Sequence, residues 1–256
     1  MTFTSINAII SGVMTIAVRL SGLMLFAPFF GSPTMPSRAK AGLVVALTFL
    51  LFPTVGRGIG PYPLIDWPLL VFREFMIGAG MGIATNLVFD AVDMAGQIAG
   101  MQMGYSLVNL LDPQTQVNIT VVAVFYRSIA LLLFLMMNVH YWLLRAIGES
   151  FLYLPPSAGG LNAEFPLGIV KTVGMVFGLG VRIAAPVLAA TIVTDMLLGL
   201  LGKASAQLPL MLLGPAVKSL LGIVILISTL RYWPSLYHRL FQISLQNGVR
   251  ILHLAG

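Results

Sequence analysis

Four polar residues on one apolar stretch define the chemistry open to this chain. Asn86, Asp90, Asp93 and Gln97 follow one another at spacings of four, three and four, which puts them on one face of a helix. Gly100 and Gly104 continue the same stripe. Two carboxylates and two amides cannot be shown to lipid, because no water is there to satisfy them. The stripe must line water or pack against arginines of a neighbour. The spacing serves an internal salt-bridge seam and a water-facing channel wall equally well. Further charges sit singly in other apolar stretches: Arg19, Arg127, Arg182 and Asp195. Each costs ~2.5–3.5 kcal/mol at membrane depth and normally faces protein or water. Arg127 lies about two turns into its stretch, so its long side chain can reach the interface. Arg19 has apolar flanks on both sides and needs a carboxylate or the free carbonyls of a helix end, with Asp90 and Asp93 the leading candidates within the chain.

Catalysis finds little to work with. His140, His238 and His253 are far apart and lack helical pairing, which disfavours a metal site. The sequence has no cysteine, so thiolate chemistry is excluded. No serine sits in a nucleophile-elbow pattern. Gly78, Gly80 and Gly82 lie inside an apolar helix with no phosphate-loop lysine behind them, and close helix packing is the better account. The glycine pairs Gly96/Gly100 and Gly174/Gly178 share that spacing. No cofactor and no enzymatic activity are expected.

The elements that must position these residues follow from composition. Of 256 residues 58% are hydrophobic and 9% charged, against roughly a quarter charged in a soluble domain; the mean hydropathy is +0.97. This excludes a soluble enzyme, a disordered tail and a disulfide scaffold, and predicts an all-α integral membrane bundle. The net charge of +6 comes from scattered basic residues without a patch. It fits topogenic charges and anionic lipid, not nucleic acid. Apolar segments run over about 8–30, 41–55, from 69 past 89, 119–137, 168–201 and 210–230; most have the length that ~30 Å of hydrocarbon demands. The first lacks a preceding basic region and a small-residue cleavage site, so it is expected to be a mature segment rather than a signal peptide. The stretches 56–68 and 138–166 are expected to be connections, and the tail after Arg231 an amphipathic surface helix. No soluble domain is apparent. The Lys and Arg asymmetry between loops is soft and weakly favours both ends in the cytoplasm.

A break separates the third segment from the fourth. Asp112-Pro113 has the form of a helix N-cap followed by proline at the first helical position. The residues before it, Met101, Gln102, Met103, Gly104, Tyr105, Ser106 and Asn109, mix methionine, glycine and polar side chains. Non-helical backbone at membrane depth is tolerated only inside protein or along a cavity, and unbranched methionine suits a surface that repacks. Plain core filling is the competing account of Met101 and Met103.

These residues resemble a known family. Arg19-Leu-Ser-Gly-Leu, the run from Ala27 through Phe30-Gly-Ser-Pro-Thr-Met-Pro36 to Leu43, and Glu74 with the glycine-rich helix after it are similar to the opening of the FliR family of flagellar biosynthetic proteins. So are Ala95-Gly-Gln-Ile-Ala-Gly-Met-Gln-Met-Gly104, Asp112-Pro113, Asn138-Val-His140 with Ser150, and Ala185-Pro186 leading to Asp195. The match runs in the family's order over nearly the whole chain. The family includes the corresponding subunit of virulence type III secretion systems, and the Phe-Gly-Ser-Pro-x-x-Pro run looks more like its flagellar branch. The resemblance implies a non-enzymatic subunit of a type III export gate in the bacterial inner membrane, within the flagellar basal body. It would assemble with FliP and FliQ into a helical pore for unfolded flagellar substrates, with FlhB and FlhA as neighbours. It further implies bent helical hairpins, a FliP-like part over about 1–165, a FliQ-like hairpin over about 166–256, and a plug over 101–118. A small-solute transporter is the other class to weigh. It would often show inverted-repeat symmetry, which this sequence does not display.

Overall fold

The computed structural model describes residues 3–32, 35–105, 119–156, 164–204 and 210–255. Among these there is no strand, and eight α-helices carry the chain: α1 (Phe3–Phe26), α2 (Ser37–Val55), α3 (Trp67–Gln102), α4 (Val121–Met136), α5 (Val139–Tyr153), α6 (Glu164–Ala204), α7 (Leu210–Thr229) and α8 (Trp233–Ala255). Short 3-10 turns at Gly56–Gly58, Leu64–Asp66 and Leu230–Tyr232 link some of them. Proline marks several edges. Pro36 is the N-cap residue of α2, and Pro68 occupies the first turn of α3, where its missing N–H is not needed. The α4–α5 junction is an Asn138 in the left-handed region, φ 57° and ψ 29°. Asparagine tolerates that conformation better than most residues, and the two helices bend there by 64°.

Among the described residues, five helical stretches are long and apolar enough to cross a membrane, and the bent α4–α5 pair makes a sixth if taken as one span. The chain is thus an all-α integral membrane bundle, as its composition predicts. The segment 138–166, expected as a connection, instead contains α5. Its apolar residues recur at Val139, Leu143, Ile147 and Phe151, a helical face whose regularity is masked by polar residues between. The tail forms the expected amphipathic helix, α8. Its face of Trp233, Tyr237, Leu240, Phe241 and Ser244 is buried in the protein rather than laid on a membrane surface.

Two compact units divide the chain. The first comprises Met1–Val88, Leu135–Gly174 and Leu240–Gly256. Its core joins Ile16, Leu20, Leu23 and Met24 of α1, Ile77 and Met81 of α3, and Leu143, Ile147 and Phe151 of α5. Here α1 and α3 meet backbone to backbone: a Cβ on Gly78 would fall 1.9 Å from the carbonyl oxygen of Arg19, and one on Gly22 2.4 Å from that of Phe75. The second unit comprises Phe89–Phe134 and Met175–Arg239. In it α3 meets α4 in the same manner, a Cβ on Gly96 falling 2.4 Å from Ala123 Cα. An aromatic run of Tyr126, Trp233 and Tyr237 packs beside that seam, with ring centroids 4.6 and 5.8 Å apart.

Candidate functional site

The first unit holds a fully buried charge cluster. Arg19 on α1 and Glu74 on α3 are both 0% exposed, and the Arg19 Nε donates to Glu74 Oε2 at 2.6 Å. Arg19 Nη1 donates to Ser150 Oγ at 2.8 Å and Nη2 to the Leu154 carbonyl at 2.9 Å, at the C-terminal end of α5. The guanidinium carbon stands 3.8 Å from the centroid of the Phe151 ring. So Arg19 takes both partner classes that its isolation demands, a carboxylate and a helix-end carbonyl. The carboxylate is Glu74, not Asp90 or Asp93. The reason is register: Gly78 presses on the Arg19 backbone, and Glu74 lies one turn away from it, whereas Asp90 lies roughly 24 Å along α3 from Glu74. The adjacent Arg73 ties α3 to the chain beyond α5, its Nη1 donating to the Pro156 carbonyl at 3.1 Å. Outside the spans, the Tyr62 hydroxyl is pushed above the usual phenol range by burial first, then by the Glu74 charge, with Arg73 opposing.

The second unit carries the lower part of the polar stripe. Asp90, Asp93 and Gln97 are half-buried on α3. Arg127 of α4 forms an ion pair with Asp93, the side chains being 54% and 28% exposed, and its charge also reaches Asp90. Asn86, one turn earlier on α3 and within the first unit, is half-buried. In the α6–α7 pair, Asp195 meets Lys218 at 2.5 Å. Arg182 is exposed on α6. Of these charges, Asp93 and Asp195 thus enter separate pairs, with Arg127 and with Lys218, while Arg182 enters none among the described residues. Glu74, Ser150 and Lys218 are the partners that residue-by-residue reading missed. Lys218 was open to discovery as a lone cation within the apolar segment 210–230.

The end of α3 is shaped by Gly104, whose φ of +89° is in the left-handed region. The Tyr105 N–H donates to the Gly100 carbonyl at 3.0 Å across that turn, closing the helix in a Schellman-type cap. Met103 is 1% exposed and lies so close to Gly222 that a Cβ there would be 2.5 Å from Met103 Cγ. Met101 is 52% exposed, so the two methionines face opposite environments; Gln102 is half-buried. The Ser219 hydroxyl donates to the Tyr105 oxygen at 2.9 Å. Met103 and Tyr105 line an apolar cavity of about 370 Å³ with Val121, Val122 and Phe125 of α4 and Ile223, Leu226 and Ile227 of α7. Ser106, Asn109, Asp112 and Pro113 lie outside the described residues. Among the described residues, no group of three His, Asp or Glu side chains converges as a metal site requires.

Comparison with known proteins places this arrangement. The model of the family "bacterial export proteins, family 1" matches residues 10–243. The flagellar biosynthetic protein FliR of Escherichia coli (strain K12) is 31% identical, over 80% of this chain and 79% of that protein. The protein of the same name from Pectobacterium carotovorum is 30% identical over 88% and 86%. That from Bacillus subtilis is 27% identical over 98% of both.

Proposed function

The chain belongs to family 1 of the bacterial export proteins, as a membrane protein of the flagellar export apparatus, and within that apparatus we propose that it is a non-enzymatic subunit of the export gate. It joins FliP and FliQ in a pore through which unfolded flagellar substrates leave the cell. FlhB and FlhA are its further neighbours. The site is the inner membrane at the flagellar basal body. Residues 1–165 take the FliP-like role and 166–256 the FliQ-like role.

One observation carries this reading beyond family membership. The chain is an incomplete bundle: 67% of the apolar window of α3 is buried, but only 11% of that of α2, 28% of that of α6 and 17% of that over Leu213–Arg250. Lipid can cover apolar faces, but α6 also shows Arg182 on its exposed surface, which lipid tails do not accommodate. Protein partners complete such faces. Affinity purification of the tagged chain in mild detergent tests this directly. FliP and FliQ should remain bound, and liposomes holding the purified chain should not take up small solutes. A monodisperse, fully helical single subunit that catalyses solute uptake overturns the reading.

The plug belongs to the same proposal. Residues 101–118, which include the Gly104 turn, close the pore. A plug must be displaced by substrate, and a glycine turn beside an adaptable methionine supports movement. Deleting Tyr105 to Leu111 should leave the complex assembled while making the membrane conduct small ions. An assembled complex with wild-type tightness removes the plug assignment.

A further inference from the structure

The described carboxylates inside the spans can be accounted for one by one. Glu74 is engaged by Arg19, Asp93 by Arg127, Glu149 by Arg145 and Asp195 by Lys218, and Asp90 lies in the field of Arg127. Arg182 differs from Arg19, Arg127 and Lys218, each of which meets a carboxylate. It stands near the middle of α6, with uncharged residues from Thr172 to Val181 before it and from Ile183 to Thr194 after it. Its side chain is exposed, and no hydrogen bond or ion pair engages it among the described residues. Lys171 and Lys203, also exposed, stand nearer the two ends of α6. They are 11 and 21 residues from Arg182 (182 − 171 and 203 − 182), roughly 16 and 32 Å along the helix. Those lysines are placed for lipid headgroups, and Arg182 is the cation left between them.

The helix surface around Arg182 is low. Gly178, Ala185 and Ala189 share its face and are exposed. A Cβ on Gly178 would meet nothing within 4 Å, whereas Gly78 and Gly96 are filled by α1 and α4 of the same chain. A second helix can therefore come close enough for a short side chain to reach the guanidinium.

We infer that this face of α6 seats a transmembrane helix of a different protein, one that carries an Asp or Glu at the depth of Arg182. The complementary charge follows from the cost of an unpaired arginine in a span. A different protein follows from the inventory above, since a second copy of this chain would bring span carboxylates already engaged at home. The inference rests on the reading of this chain as one subunit of a larger gate, and it names the chemistry of one contact in that gate.

The full chain, in membranes of motile cells, provides the test. A photo-crosslinking residue at Ala185 should yield an adduct with another membrane protein, and the linked peptide should be an apolar helix containing a carboxylate. Arg182→Glu should lower recovery of that partner at least tenfold, and Arg182→Lys should retain it. Exchanging the identified carboxylate for Arg should restore recovery with Arg182→Glu. That rescue separates a lost ion pair from a misfolded chain. Adducts with lipid alone or with a second copy, wild-type recovery by Arg182→Glu, or failure of the reciprocal exchange each overturn the inference. A wild-type chain recovered with no partner defeats the gate reading itself. A wild-type complex that tolerates Arg182→Glu defeats only this contact.

Discussion

Two arginines in this molecule reach a carboxylate on the same long helix, and they do so under opposite conditions. Arg19 and Glu74 are both fully buried. Ser150, the Leu154 carbonyl and the face of Phe151 complete the surroundings of the guanidinium. Arg127 and Asp93 are paired as well, but at 54% and 28% exposure. Distance does not separate the two pairs; the cost of being left alone does. A buried charge without its partner has no solvent to turn to, whereas Arg127, close enough to the end of its span to reach the interface, regains water or finds another group. The first pair therefore acts as an organising centre for α1, α3 and α5, and the second as an adjustable contact between α3 and α4.

The strongest way to break that contrast is Arg19→Leu, which strands Glu74 in the core of the first unit. A loss of about 3–5 kcal/mol is expected, read as failure of the chain to accumulate in membranes and loss of motility. Full motility with this variant would remove the organising role. The double variant Arg19→Leu with Glu74→Leu sharpens the point. Replacing both members of a buried pair by apolar residues is often nearly neutral, so accumulation should rise above that of the single variant.

Next in size is Gly78→Ala, which drives a methyl group into the Arg19 carbonyl oxygen. Separating α1 from α3 should cost about 1–3 kcal/mol, seen as a lower midpoint of thermal aggregation in detergent. Gly42→Ala on α2 is its control, since a Cβ there meets nothing within 4 Å; no loss is expected. In the second unit, Gly104→Ala forces a side chain into a left-handed turn and should cost about 1–2 kcal/mol. The smallest effect belongs to Arg127→Gln. Its pair is worth about 0–1 kcal/mol, so its melting should match wild type within that range. A loss as large as that of Arg19→Leu would erase the distinction between the two pairs.

Much of this was legible in the order of residues. Composition alone announces a helical membrane protein, because a chain with so few charges cannot be kept in water. Arg19, flanked by apolar residues, demands a buried partner. The glycines at 78, 82, 96 and 100 announce close helix contacts, since only a missing side chain lets backbones touch. Asp195 and Arg127 are visible as charges needing company. The spacing of Asn86, Asp90, Asp93 and Gln97 marks one face of α3, but it does not reveal that the face divides, with Asn86 in the first unit and Asp93 bound to Arg127 in the second.

What only the tertiary structure decided is which charge meets which. Helical periodicity fixes the angular position of a side chain on its own helix, but not how far one helix slides along another. That slide is set by where backbones can approach. Gly78 against the carbonyl of Arg19 sets it for α1 and α3, and this brings Glu74 rather than Asp90 to the guanidinium. Helix α5 was hidden for a related reason: Arg145 and Glu149 diluted the hydropathy of 138–166, and its helical nature shows in the buried face of Leu143, Ile147 and Phe151. Local sequence determines the elements and the charges that need partners; contacts distant along the chain choose those partners, because they depend on interhelical register that no local pattern encodes.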